Sequence, residues 1–233
     1  MQCHPTDQTA EHGQAASAGP TCPFCVEIQD PLDWPHSTAY NHQTRITAPT
    51  DALRILPTLG QLVPGSLLLL PAKHVERFAD LSPSQRSDAL ETARAIVARF
   101  ETEENGWVMF EHGALAPGGG GCGLYHGHLH LVPVAVPPTA AELLPTGQDI
   151  YGLDAGWDSV DTADDYLICA SSDGSARFRT VVPEERTDYP SQYFRRQLHH
   201  HLGLEGPWDW REFDQPERAI EQWIERALEH AGT

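Results

Sequence analysis

The chain is short of positive charge. Its 233 residues hold 15 Lys and Arg against 33 Asp and Glu, a formal charge of −18. Nucleic-acid backbones are gripped by Lys and Arg that neutralise phosphates, so the balance argues against bulk DNA or RNA as a partner. A small nucleotide stays open, because a local pocket can be positive inside a negative protein. Long apolar runs are also missing. Leu67 to Pro71 is the greasiest stretch, far below the roughly 18 residues of a membrane helix, so no membrane partner is expected. No basic start followed by an apolar core opens the sequence, so no secretory signal is expected either. Cysteine is scarce and odd in number: Cys3, Cys22, Cys25, Cys122 and Cys169. Without a signal, an odd count points to a reducing, cytoplasmic compartment and not to a disulfide scaffold. There is no internal repeat.

What is there suggests three parts. Residues 1 to 20 lack apolar periodicity and read as a disordered tail. Residues 21 to 138 hold the recognisable motifs, and 139 to 233 read as a C-terminal extension packed on that core. Asp30 to His42 is expected to be an irregular loop, and Arg45 to Leu56 a strand or hairpin arm. Ser66 to Pro71 has the length and flanks of a buried strand. Ser82, Pro83 and Gln85 supply an N-cap, a first-turn proline and a capping-box partner for a helix carrying Leu90, Ala93, Ile96, Val97 and Phe100. Trp107 to Phe110 reads as a short strand and Ala116 to Gly123 as a glycine-rich loop. Leu124 to Val134 reads as the next strand, ended by Pro133, Pro137 and Pro138. In the extension, Tyr166 to Ala170 and Ala176 to Val182 are expected strands joined through Asp173-Gly174. Tyr193 to Leu202 is an expected helix. Asp214 and Glu217 open a final one, whose stripe runs Ala219, Ile220, Trp223, Ile224, Ala227 and Leu228.

The informative stretch is His126-Gly127-His128-Leu129-His130-Leu131-Val132. Alternate residues of a strand point to one face, so the three imidazoles are expected to line up against Leu129 and Leu131 on the other. Such a row can bind a metal, move protons or handle phosphate. Burying it without partners is costly, which favours a function over accident. His199, His200 and His201 are a useful control: adjacent histidines in a helix diverge, and no catalysis is expected of them. Cys22 and Cys25 have the spacing of a metal pair, a redox pair or two plain thiols.

The alternating histidines followed by two apolar residues resemble the signature of the histidine-triad superfamily. Gly121-Cys122-Gly123-Leu124-Tyr125 stands where that family has a glycine-containing phosphate loop. Leu67 to His74 resembles its apolar strand ending in Pro-x-x-His, and Cys22-Pro23-Phe24-Cys25 the start of its zinc-bearing members. The resemblance covers roughly residues 20 to 136. It implies an α+β fold, an antiparallel sheet with packed helices, here with a C-terminal α/β extension. It implies a nucleotidyl hydrolase in which His128 attacks the phosphorus attached to a nucleoside, with His126 and His130 assisting and Cys122 and Gly123 offering backbone N–H groups. It implies a structural zinc on Cys22, Cys25, His74 and His126, closed by four protein ligands. The partner would be a nucleotide or nucleotide-linked small molecule. Many relatives are homodimers, although the extension stands to cover the usual dimer surface.

Alternatives of other classes are a nucleotidyl transferase or phosphorylase and a non-catalytic zinc and nucleotide-binding module. A His at position 130, where transferases often carry Gln, tilts toward hydrolysis. The sequence also departs from the family. Ile55-Leu56-Pro57-Thr58 lacks the usual ribose-binding carboxylate, and Glu111-His112-Gly113 stands where Asn-Gly is frequent. His112 is either an added pocket base or phosphate donor, or a satisfied structural histidine. Arg195 or Arg196 is either a ligand for a distal phosphate or a surface partner of the abundant carboxylates.

Overall fold

The structure is a computed structural model that describes residues 22–30, 45–103, 105–115, 124–161 and 163–213. The expected tail, the irregular loop beyond Asp30, the glycine-rich loop with Cys122 and Gly123, and the final helix lie outside the described residues. Seven strands form one antiparallel sheet: β1 (Leu53–Pro57), β2 (Leu67–Pro71), β3 (Gly106–Gly113), β4 (Leu129–Val134), β5 (Gln148–Asp149), β6 (Asp165–Ser171) and β7 (Ala176–Val181). Their order is β1-β2-β4-β3-β6-β7-β5. Among the described residues, five α-helices accompany it: α1 (Pro23–Gln29), α2 (Pro83–Val97), α3 (Ala140–Leu143), α4 (Leu153–Asp158) and α5 (Tyr193–His201). The fold is therefore α+β. No helix among the described residues is long and apolar enough to cross a membrane.

Alternation along the strands sorts the side chains into two layers. Leu129, Leu131, Met109, Tyr166 and Ile168 face α2 and α4, meeting Leu90, Ala93, Ile96 and Trp157 in the larger core. Val108, Phe110, Val132, Leu167 and Cys169 face the other way and are covered by α3 and α5 through Leu143, Tyr193, Phe194 and Leu198. Phe24 of α1 packs on Leu56, Leu68 and Leu70 at the other end of that second face.

Local signals explain several elements. Ser82 and Gln85 form the expected reciprocal capping box at the start of α2. Thr139 and Glu142 form a second one, which starts the short α3. Gly174 takes a φ of +87° in the β6–β7 turn, a conformation that favours glycine.

Two expectations need correction. Pro133 does not end its strand but lies inside β4, paired with Trp107. β2 has already stopped opposite Leu131, so on that side the missing proline N–H costs no ladder bond. The strand also begins at Leu129 and not at Leu124. Ahead of it, the Gly127 N–H donates to the Val75 carbonyl at 2.8 Å, a loop contact instead of a ladder. Beyond residue 138, β6 joins the same sheet, pairing with β3 along six residue pairs from Val108–Ser171 to Gly113–Tyr166.

Candidate metal centre and histidine site

Cys22 is the N-cap of α1 and Pro23 its first residue. A Cys-x-x-Cys across the first helical turn brings both sulfurs to one side of the helix. They meet His74, from the turn after β2, and His126. The four ligand atoms lie within 4.8 Å of one another. Cys25 Sγ is 3.4 Å from His74 Nδ1 and 3.6 Å from His126 Nδ1, and Cys22 Sγ is 3.5 Å from His126 Nδ1. A tetrahedral ion with N and S ligands at about 2.05 and 2.3 Å has an N–S edge of about 3.6 Å, so the donor set fits such an ion. His126 Nε2 lies 2.9 Å from the Pro71 carbonyl. A carbonyl only accepts, so Nε2 carries the proton and Nδ1 keeps its lone pair for the ion. Burial, with the neighbouring His74 and His128, holds His126 down to about 4, and so neutral. Burial and the adjacent Cys22 push the Cys25 thiol up to about 11.

Two residues along, His128 Nδ1 lies 2.6 Å from the His126 carbonyl. The same reasoning puts the proton on Nδ1 and leaves Nε2 as the basic nitrogen. The His128 ring meets Phe24 of α1 edge-on at 5.5 Å and His130 at 5.3 Å. His128 and His130 share a face. His126 instead turns toward Cys22, Cys25 and His74, so the expected row of three becomes one candidate ligand and one adjacent pair. His130 stacks on Phe110 at 4.5 Å. Burial, His128 and the Arg195 charge hold it well below the usual histidine range.

Arg195 is buried. It donates to the Gly60 carbonyl at 2.5 Å and to the Trp208 carbonyl at 3.2 Å, tying the β1–β2 loop to the segment after α5. With His130, Thr58 and Ser66 it lines a cavity of about 10 Å³, too small for a phosphate. His112 is half-buried on β3, with both ring nitrogens shielded from solvent. His199, from the control run, bonds the Gly206 carbonyl at the outer end of α5.

Three groups escaped the sequence reading. Gly127 separates two histidines because a Cβ there would stand 3.0 Å from Arg77 C and 3.1 Å from Phe78 N. The backbone that follows His74 crosses at that point. Glu111 lies on the far side of the sheet and accepts from Phe78 N (2.9 Å), Trp157 Nε1 (2.9 Å) and Tyr166 OH (2.6 Å). It anchors the same crossing segment from behind, while burial raises its pKa. Glu27 and Arg45 form a buried pair at 2.6 Å, with Arg45 also donating to the Pro57 carbonyl, which fixes α1 against β1. The signal for Glu111 was its phase: it alternates with Met109 toward the apolar core. Glu111→Ala strands three buried donors, each worth about 1–3 kcal/mol. Denaturant unfolding is expected to show a loss of about 3 kcal/mol or more, with weaker metal retention because the His74 turn loosens.

No family model and no curated protein matches this chain. Solved structures similar to it in fold are histidine-triad proteins. One is a Hit-like protein involved in cell-cycle regulation from Bartonella henselae, at 14% identity and TM-score 0.36, covering 51% of this chain and 79% of that one. Another is a HIT family protein from Bacillus anthracis, at 19% identity and TM-score 0.35, covering 50% and 74%. A third is yeast Ap4A phosphorylase in complex with AMP, at 12% identity and TM-score 0.41, covering 63% and 64%. Each is a likeness of fold.

Proposed function

We propose that the protein is a nucleotide hydrolase, cleaving a nucleoside-linked phosphoanhydride or phosphoramidate through a nucleotidyl-histidine intermediate on His128. The observation that supports this best is the 2.6 Å bond from His128 Nδ1 to the His126 carbonyl. It fixes the tautomer in which Nε2 holds the lone pair. Nε2 attacks the phosphorus attached to the nucleoside. The P–O or P–N bond to the leaving group breaks, and the leaving group departs with the bonding pair and takes up a proton. Water then attacks the same phosphorus, the N–P bond breaks, and Nε2 recovers its lone pair as the nucleoside monophosphate leaves with the water's oxygen. One hard displacement becomes two easier ones. His130 stands beside the nucleophile for phosphate contact, and Cys122 and Gly123, outside the described residues, are the proposed donors of backbone N–H groups to the phosphate oxygens. Cys22, Cys25, His74 and His126 would hold a zinc ion in a structural role. Through the ion, the other three ligands would hold His126, whose carbonyl in turn orients the His128 ring.

The test is direct. The protein is mixed with diadenosine polyphosphates, nucleoside phosphoramidates and nucleotide sugars, quenched at alkaline pH, and weighed intact and after digestion. A nucleoside monophosphate mass added to the peptide carrying His128 is the expected result. Nucleotide release with no adduct and no dependence on His128 would remove the mechanism.

A further inference from the structure

The β3–β4 register pairs Phe110 with His130. His112 lies two residues on along β3, on the face of Phe110, and His128 two residues before His130, just ahead of β4, near enough for each ring to feel the other's charge. His112 differs from every other histidine of the site. Both of its ring nitrogens are buried with no hydrogen-bond partner among the described residues. A buried carboxylate on the adjoining strand, Asp165, does not supply one. Its oxygens accept from Leu115 N at 2.9 Å and Arg186 Nε at 2.7 Å. Burial pushes His112 down to about 4, so the ring is neutral, with one N–H to donate and one nitrogen to accept. A phenylalanine would fill the same place without leaving polar atoms unsatisfied. An imidazole that costs the free fold stability is accounted for when a ligand completes it.

We propose that His112 is a substrate-contacting residue whose ring N–H donates to the phosphoryl group that His128 attacks. This rests on the hydrolase reading and deepens it. Phosphoryl oxygens accept and do not donate, which suits an N–H aimed from the neighbouring strand. The reacting nitrogen of His128 cannot fill the role, because it becomes bonded to phosphorus. A donor fixed in a water-poor place acts on the charge that builds on those oxygens in the transition state.

The experiment compares His112→Phe and His112→Asn with the wild type. It measures kcat/KM on whichever member of the nucleotide panel the wild type cleaves, and the melting temperature of the ligand-free protein. His112→Phe is expected to lose about 100-fold in kcat/KM while melting at the same temperature or higher. His112→Asn keeps an N–H donor and is expected within about tenfold of the wild type. A Phe variant that melts lower, or fails to fold, together with an inactive Asn variant would make His112 structural and overturn the proposal. So would a Phe variant of undiminished activity. If the wild type cleaves nothing, the hydrolase reading has failed. Thermal shifts with adenosine, guanosine, uridine and cytidine 5′-monophosphates then decide. A shift in the wild type lost in the Phe variant keeps the contact, and an equal shift, or none in either protein, removes it.

Discussion

His128→Ala is expected to lower nucleotide turnover by at least about three orders of magnitude, or about 4 kcal/mol of transition-state stabilisation, with little change in stability. The two effects separate because of how the ring is held. Its Nδ1 bonds a carbonyl two residues away, a local contact whose loss is worth about 1 kcal/mol. The surrounding rings are held from elsewhere: Phe24 by the packing of α1 on Leu68 and Leu70, and His130 by its stack on Phe110. Single-turnover assays beside calorimetry check this. Turnover that survives the substitution would mean that another group attacks phosphorus.

Removing the cation is expected to cost both stability and activity. α1 has seven residues, too few for a helix to persist alone in water. Cys22 and Cys25 attach it to His74 and His126, and the Glu27–Arg45 pair attaches its other end. A Cys25→Ser variant, or the wild type stripped by a chelator, is expected to lose bound metal. It should also lose at least about 3 kcal/mol, seen as a melting point lower by roughly 6–12 °C. Activity falls with it, because Phe24 leaves the His128 ring and the His126 carbonyl loses its fixed direction. Elemental analysis, melting curves and turnover on one preparation test the chain of effects. A protein that is metal-free as purified yet stable and active would refute it.

The sequence made visible what local chemistry controls. The capping box at Ser82 marked α2, Asp173-Gly174 marked the β6–β7 turn, and the four cation ligands were read from spacing and resemblance before they were seen to converge. What escaped depends on partners distant along the chain. Nothing near Pro133 announces that β2 ends beside it, so a proline read as a stop lies within β4. Alternation predicted a common face for three histidines. Gly127 breaks the strand before it reaches His126, because the chain after His74 passes there. The same capping pattern that marked α2 also sits at Thr139, but only four helical residues follow, too few for periodicity to show. Arg195 read as a phosphate ligand or a surface partner of carboxylates, and its carbonyl partners come from Gly60 and Trp208.

The pairing of β3 with β6 also bears on how the molecule is made. β3 stands between the histidine strand and the extension, and it is synthesised well before Asp165. While the chain emerges from the ribosome, one flank of β3 can be covered by β4, but the other waits, with Val108, Phe110 and His112 along it. An uncovered strand edge of that length invites pairing with other chains. A stop or a cleavage after residue 138 is therefore expected to yield an adhesive fragment, because β6 is the strand that covers this flank of β3.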